Sequence, residues 1–153
     1  MGWQDFYARR DALNEAVEQG ELRTSKPFPT EQELLLALHH RWTQRLAARV
    51  ELAELETTDP VDSVGAAWRR TAEDNPDLRA LLDRYADTAT LRPLVEAEHR
   101  MLASAAGLTE PADSPSEKAS IGAAFIALQR TSPDRVPRRN PVERLLRRLV
   151  TSA

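Results

Sequence analysis

The chain of 153 residues contains no cysteine, only five glycines and only eight aromatic residues. The absence of cysteine excludes disulfide bonds, thiolate metal sites and cysteine nucleophiles. No stretch approaches the roughly 18 uninterrupted apolar residues that suggest a membrane-spanning helix. The first residues also lack the basic and apolar regions of a secretory signal peptide. We therefore expect a cytoplasmic protein without a membrane span.

Motifs that mark common catalytic and nucleotide-binding sites are also missing. Neither Gly-x-Gly-x-x-Gly nor Gly-x-x-x-x-Gly-Lys-Ser/Thr occurs, so the sequence offers no glycine-rich loop to cradle phosphates. The Gly-x-Ser-x-Gly turn of serine hydrolases is absent as well. We expect no cofactor, and the sequence favours a non-enzymatic protein without deciding the question.

What the sequence does contain is helical periodicity interrupted by proline and glycine. No segment alternates between apolar and polar residues with period two. We predict an all-α fold without a sheet, a compact bundle of six or seven helices in one domain covering residues 1–153. The predicted helices cover residues 3–19, 31–56, 60–74, 76–85, 91–106, 116–130 and 141–151, with an exposed linker at 108–116.

Residues typical of helix ends set these boundaries. Thr30 has a glutamate three residues later, which is the spacing of a capping box. An aspartate or asparagine followed by proline predicts a helix start, because the first side chain caps the helix and proline suits its first turn. Glycine after the last turn predicts a helix end. The starts are Asp59-Pro60, Asn75-Pro76 and Asn140-Pro141, and the ends are Gly20 and Gly107.

Apolar residues at helical spacing predict which faces are buried. Helix 1 places Trp3, Phe6, Tyr7, Leu13 and Val17 on one face, and helix 2 has a long stripe from Leu35 to Ala53. Residues 119–128 are apolar almost all round. Such a helix is normally surrounded by others, so we predict that helix 6 is the central helix, with a dimer interface as the alternative.

Four polar residues lie inside apolar stripes and are our candidates for lining a ligand pocket. They are Arg10 and Asn14 on helix 1, His39 on helix 2 and Glu98 on helix 5. A buried charge needs a partner, so we predict an Arg10–Glu98 ion pair that His39 and Asn14 extend into a polar pocket between helices 1, 2 and 5. A satisfied buried salt bridge, or side chains that extend to the surface, is the alternative.

A metal site is the less favoured interpretation of the same helices. Glu96 and His99 form one Glu-x-x-His pair, whereas di-iron bundles use one such pair on each of two helices. The adjacent His39 and His40 point about 100° apart on a helix and do not chelate one ion together. We therefore predict no bound metal.

The C-terminal segment concentrates positive charge. Residues 131–153 carry six arginines and two acidic residues, a net charge of +4, which leaves −7 on the rest of a chain whose total is −3. The arginines flank an apolar helical stripe, which suits packing on the bundle, docking in a partner's groove, or contact with nucleic acid or an anionic membrane. The candidate partner-contact residues are Arg138, Arg139, Arg144, Arg147 and Arg148.

Two functions follow from these patterns. The leading hypothesis is a non-enzymatic interaction or regulatory protein, possibly self-associating, whose partner is more often a protein than a nucleic acid. The alternative is a small-molecule-binding protein or enzyme that uses the polar pocket between helices 1, 2 and 5.

Overall fold

The computed structural model describes residues 2–131, which form six α-helices and no strand. The all-α prediction is confirmed for this part of the chain. The predicted helix over 141–151 and the five candidate arginines of the C-terminal segment lie outside the described residues. The helices are α1 (Trp3–Gln19), α2 (Glu31–Glu54), α3 (Pro60–Asp74), α4 (Pro76–Arg84), α5 (Arg92–Ala105) and α6 (Pro115–Thr131).

The helix ends follow local chemistry in most cases. The hydroxyl of Thr30 accepts a hydrogen bond from the backbone N–H of Glu33, at 3.2 Å, and Asp59 caps α3 through the N–H of Val61. Gly20 ends α1 in the left-handed region, with φ of 66°. These interactions satisfy backbone groups that a helix end leaves unpaired, which is why the predicted boundaries are close to the observed ones.

The prediction that the Asn75 side chain caps the helix beginning at Pro76 is wrong. This side chain makes no capping hydrogen bond to α4, although that helix does begin at Pro76. The Asn75 amide instead donates to the carbonyl of Thr71, at 2.8 Å, and its oxygen accepts from Arg45. The side chain therefore ties the α3–α4 junction to α2 rather than capping the following helix.

The long helix α2 lies at the centre of the described bundle, because it packs against α1, α3, α4 and α5. Its predicted stripe is buried throughout. Trp42, in the middle of this stripe, is fully buried and contacts Trp68 of α3 edge to face. The stripe consists of Leu35, Leu38, Trp42, Leu46, Val50 and Ala53.

The prediction that α6 is the central helix is wrong. This helix packs on α5 and, over a smaller surface, on α3, and it buries Gly122, Phe125 and Ile126. Ala123, Ala124 and most other small residues of the segment are exposed. Alanine counts as apolar in a sequence pattern, yet its short side chain loses little when it faces water, so the pattern exaggerated the burial of this helix.

The predicted burial of α1 is wrong for its first two turns. Leu13 and Val17 pack against the core, but Trp3, Phe6 and Tyr7 are exposed in the described structure. Their spacing is that of an amphipathic face, and spacing alone does not show whether a neighbouring helix covers that face. No described helix is long and apolar enough to span a membrane.

Candidate functional site

A cleft of about 400 Å³ opens where α5 and α6 pack beside α4. Its walls include residues from α2 to α6, among them the apolar Val95 and Ile126 and a group of charged and aromatic side chains. The volume lies in the range of roughly 300–1,000 Å³ that is common for small-molecule sites. The cleft is therefore large enough for a small organic molecule.

Five side chains form a closed ring at this cleft, which we call the tryptophan–arginine ring: Trp42, Trp68, Arg79, Asp83 and Arg130. The two tryptophan rings meet edge to face at 6.3 Å. The Arg79 guanidinium lies 4.4 Å from the centre of the Trp42 ring, and that of Arg130 lies 5.1 Å from the centre of the Trp68 ring. Asp83 closes the ring by accepting hydrogen bonds from both arginines.

The carboxylate of Asp83 joins α4 to α6 through the strongest contacts of this ring. Arg130 donates two parallel hydrogen bonds to it, at 2.8 and 2.9 Å, and the Nε of Arg79 donates a third, at 3.0 Å. Although burial raises the pKa of Asp83, the hydrogen bond from Arg130 and the charge of Arg79 outweigh it and hold the pKa below its usual value. Asp83 is therefore ionised at neutral pH.

Glu98 and His39 extend the ring toward the interior. The Glu98 Oε1 accepts a hydrogen bond from the Trp42 indole N–H, at 2.8 Å, and lies 3.8 Å from the His39 Nε2. The second atom pair is farther apart than a hydrogen bond allows. On its other side, the His39 Nδ1 lies 3.3 Å from the Thr43 hydroxyl.

Burial governs the protonation of this inner pair. Desolvation raises the pKa of Glu98, even though the nearby charge of Arg79 and the hydrogen bond from Trp42 oppose the shift. Desolvation lowers the pKa of His39, and the charges of Arg79 and His40 add to that effect. Both shifts favour the neutral forms, as expected for ionisable groups moved out of water.

The indole N–H of Trp68 is the unusual group in this arrangement. Trp68 lines the cleft and is only 4% exposed, yet its Nε1 has no hydrogen-bond partner within residues 2–131. Buried polar groups are nearly always hydrogen-bonded, because an unsatisfied donor costs about 1–3 kcal/mol. An acceptor placed next to this N–H would recover that cost.

The structure brings together only two of the four predicted pocket residues. His39 and Glu98 meet as described, but Arg10 is exposed and pairs with its neighbour Asp11, at 3.0 Å. Asn14 is exposed and accepts a hydrogen bond from Arg41, at 2.8 Å. The predicted Arg10–Glu98 pair does not form, because α1 packs against α2 and α4 whereas Glu98 lies on α5.

The sequence prediction missed Trp68, Arg79, Asp83 and Arg130. Arg79 and Asp83 have the i, i+4 spacing of a helical ion pair, which in a sequence is typical of a solvated helix face. Arg130 lies 47 residues from Asp83, and nothing in either helix indicates that the two meet. Trp68 is an ordinary apolar residue in the sequence pattern of α3, and its missing hydrogen bond depends on packing that a sequence does not reveal.

The described residues contain no group of three or more histidine, aspartate or glutamate side chains able to hold a metal ion. Glu96 and His99 both line the cleft, and burial above all lowers the pKa of His99. The lining as a whole offers groups for hydrogen bonding, charge and apolar contact.

Comparison of the chain with protein-family models, with curated proteins and with solved structures finds no match.

Proposed function

We propose that this protein binds a small organic molecule in the cleft between α4, α5 and α6. The observation that carries the proposal is that Trp68, whose indole N–H is buried and unpartnered, lines a cleft that is also lined by Glu98 and His39. Convergent polar groups with shifted pKa values in a concave site are typical of ligand and active sites. The alternative function expected from the sequence is a small-molecule site between helices 1, 2 and 5. The site proposed here keeps α2 and α5, but its other walls come from α3, α4 and α6 rather than from α1.

The wall of the cleft indicates the kind of molecule that would fit. The unsatisfied group is a donor, so the ligand needs a hydrogen-bond acceptor such as a carboxylate, carbonyl or amide oxygen. Val95, Ala123 and Ile126 add apolar surface to the lining. We propose a small molecule with one apolar side and at least one acceptor oxygen.

The competing interpretation is that the tryptophan–arginine ring only holds the helices together. Buried ion pairs do occur for structural reasons alone. Such a role accounts for the satisfied contacts of Asp83, Arg79 and Arg130, but it gives no reason for the unpartnered N–H of Trp68.

A substitution that fills the cleft tests the proposal. Ala123 is exposed and lines the cleft, whereas its neighbour Ala124 is exposed and does not. We expect small carboxylates and amides from a screening panel to raise the melting temperature of the wild-type protein and of Ala124→Trp. The same compounds are expected to have no effect on Ala123→Trp, because the new indole fills the cleft.

The paired variants distinguish the outcomes of this screen. Both substitutions place tryptophan on the surface of the same helix, so general effects on folding or solubility are shared. Compounds that stabilise Ala123→Trp as well as the wild type would bind elsewhere and would contradict the proposal.

Two expectations from the sequence stay predictions. One is contact between a partner protein and Arg138, Arg139, Arg144, Arg147 and Arg148, which lie outside the described residues. The other is a cytoplasmic location.

A further inference from the structure

Three aromatic side chains on α1 form an exposed cluster, which we call the aromatic surface: Trp3, Phe6 and Tyr7. Their exposed fractions are 77%, 55% and 45%, respectively. The rings contact one another, with Trp3 stacked on Tyr7 at 6.4 Å and Phe6 edge to face with Tyr7 at 5.6 Å. Contiguous exposed apolar patches usually mark interaction sites.

A groove of about 690 Å³ lies beside this surface, between α1, the following loop and α2. Its floor is apolar and includes Leu13, Phe28 and Ala37, and Phe6 belongs both to its wall and to the aromatic surface. Leu36 adds a further exposed apolar side chain to the groove. The same face of the molecule therefore has a projecting aromatic cluster and an apolar depression.

We infer that two copies of this chain associate through this face, each placing its aromatic surface in the groove of the other. A two-fold contact uses the same patch on both copies, so the patch must be complementary to itself. A projection next to a depression of matching apolar character meets that requirement. This inference is independent of the ligand proposed for the cleft.

The charge of α1 argues against a lipid surface on this face. The helix has four acidic residues, and Arg9 and Arg10 are its two arginines. Helices that lie on anionic membranes usually have a basic polar face, whereas α1 is acidic overall. A second copy, which offers the same apolar groove and aromatic surface, is the occupant we infer.

The apolar area of the aromatic surface is sufficient to contribute most of a small interface. Aromatic side chains bury roughly 150–250 Å² each, so the exposed fractions of these three provide about 350 Å² per copy. Across a two-fold pair that is about 700 Å², compared with roughly 1,200 Å² at the lower end of specific interfaces. Leu36 and the polar rim of the groove supply further area.

Sedimentation of the full chain, measured as a function of concentration, tests the inference. We expect the wild-type protein to reach the mass of two chains, and Phe6→Glu and Trp3→Glu to remain monomeric with unchanged helical content. Leu55→Glu is the matched control, because Leu55 is 81% exposed at the end of α2 and lies outside this face. That variant is expected to form the dimer.

Two results would overturn the inference. A wild-type protein that stays monomeric at high concentration lacks the contact. A dimer that persists in both α1 variants uses another surface, such as α6 or residues 132–153. Because the chain has no native cysteine, Gln4→Cys provides a single site for a spin label. A distance between the labels of two chains that is lost when Phe6→Glu is added would place the contact on α1.

Discussion

The two buried tryptophans at the cleft differ in one hydrogen bond. The Trp42 N–H donates to Glu98, whereas the Trp68 N–H has no partner among the residues described. Both rings also contact an arginine, in an interaction that contributes about 0.5–2 kcal/mol, depending on how far it is desolvated. Packing therefore explains why both rings are present, but not why one indole N–H is left unsatisfied.

Glu98→Gln is expected to stabilise the protein at neutral pH and above, by on the order of 1 kcal/mol. Burial raises the pKa of Glu98 in the folded state, so its contribution to stability is complete below the pKa of the unfolded chain. That contribution is lost as the pH rises through the folded pKa. Glutamine keeps an oxygen for the Trp42 N–H and does not ionise, so it avoids this loss.

Denaturant titrations of the wild type and Glu98→Gln across pH 4–9 measure this difference. The difference in unfolding free energy between Glu98→Gln and the wild type should shrink as the pH falls toward the ordinary pKa of glutamate. The pH dependence of stability contributed by His39 has the opposite sign. Because its pKa is lowered in the folded state, stability is lost as the pH falls below the pKa of histidine in the unfolded chain. A variant that is less stable by the same amount at every pH would contradict the assignment of a raised pKa to Glu98.

At the scale of the helices, the α5–α6 contact depends on Gly122. A Cβ at this position would lie 1.9 Å from the carbonyl oxygen of His99, so the two helices approach as closely as their backbones allow. Glycine inside a helix costs about 1 kcal/mol relative to alanine. The close approach explains why that cost is accepted here and why α6 reaches the cleft.

Gly122→Ala should therefore destabilise the protein by about 3 kcal/mol, the upper part of the range for overpacked sites. Gly65→Ala is the control. Its Cβ would lie 2.6 Å from the Gln129 side-chain oxygen, which belongs to a flexible side chain that can move away. Urea unfolding followed by circular dichroism measures both variants. Equal stabilities of the two would show that the α5–α6 contact is less tight than described.

The helix boundaries were predictable because they depend on neighbours in the sequence. Thr30, Asp59 and Gly20 act on backbone groups within a few residues. Which helix lies at the centre was not predictable in the same way. Gly122, Phe125 and Ile126 share one face of α6, but the alanines around them gave the sequence an apolar character that the structure does not bury.

At the scale of the whole molecule, two residues of the candidate site could be predicted. A polar residue within an apolar stripe is uncommon, and this feature identified His39 and Glu98, which do meet. The same argument failed for Arg10, because the first two turns of α1 are exposed and no helix within residues 2–131 covers the stripe there. The pairing of Asp83 with Arg130 depends on how α4 and α6 pack, which no local pattern encodes.

The most direct test of the proposed ligand site observes the indole N–H of Trp68 during titration with a compound that raises the melting temperature. The chain has three tryptophans, so three indole resonances are expected in a ¹H–¹⁵N spectrum, and Trp68→Phe assigns one of them. We predict that the Trp68 resonance shifts on binding, while that of the exposed Trp3 does not, and that Trp68→Phe weakens binding at least tenfold, about 1.4 kcal/mol. A bound compound that leaves the Trp68 resonance unchanged would contradict the account.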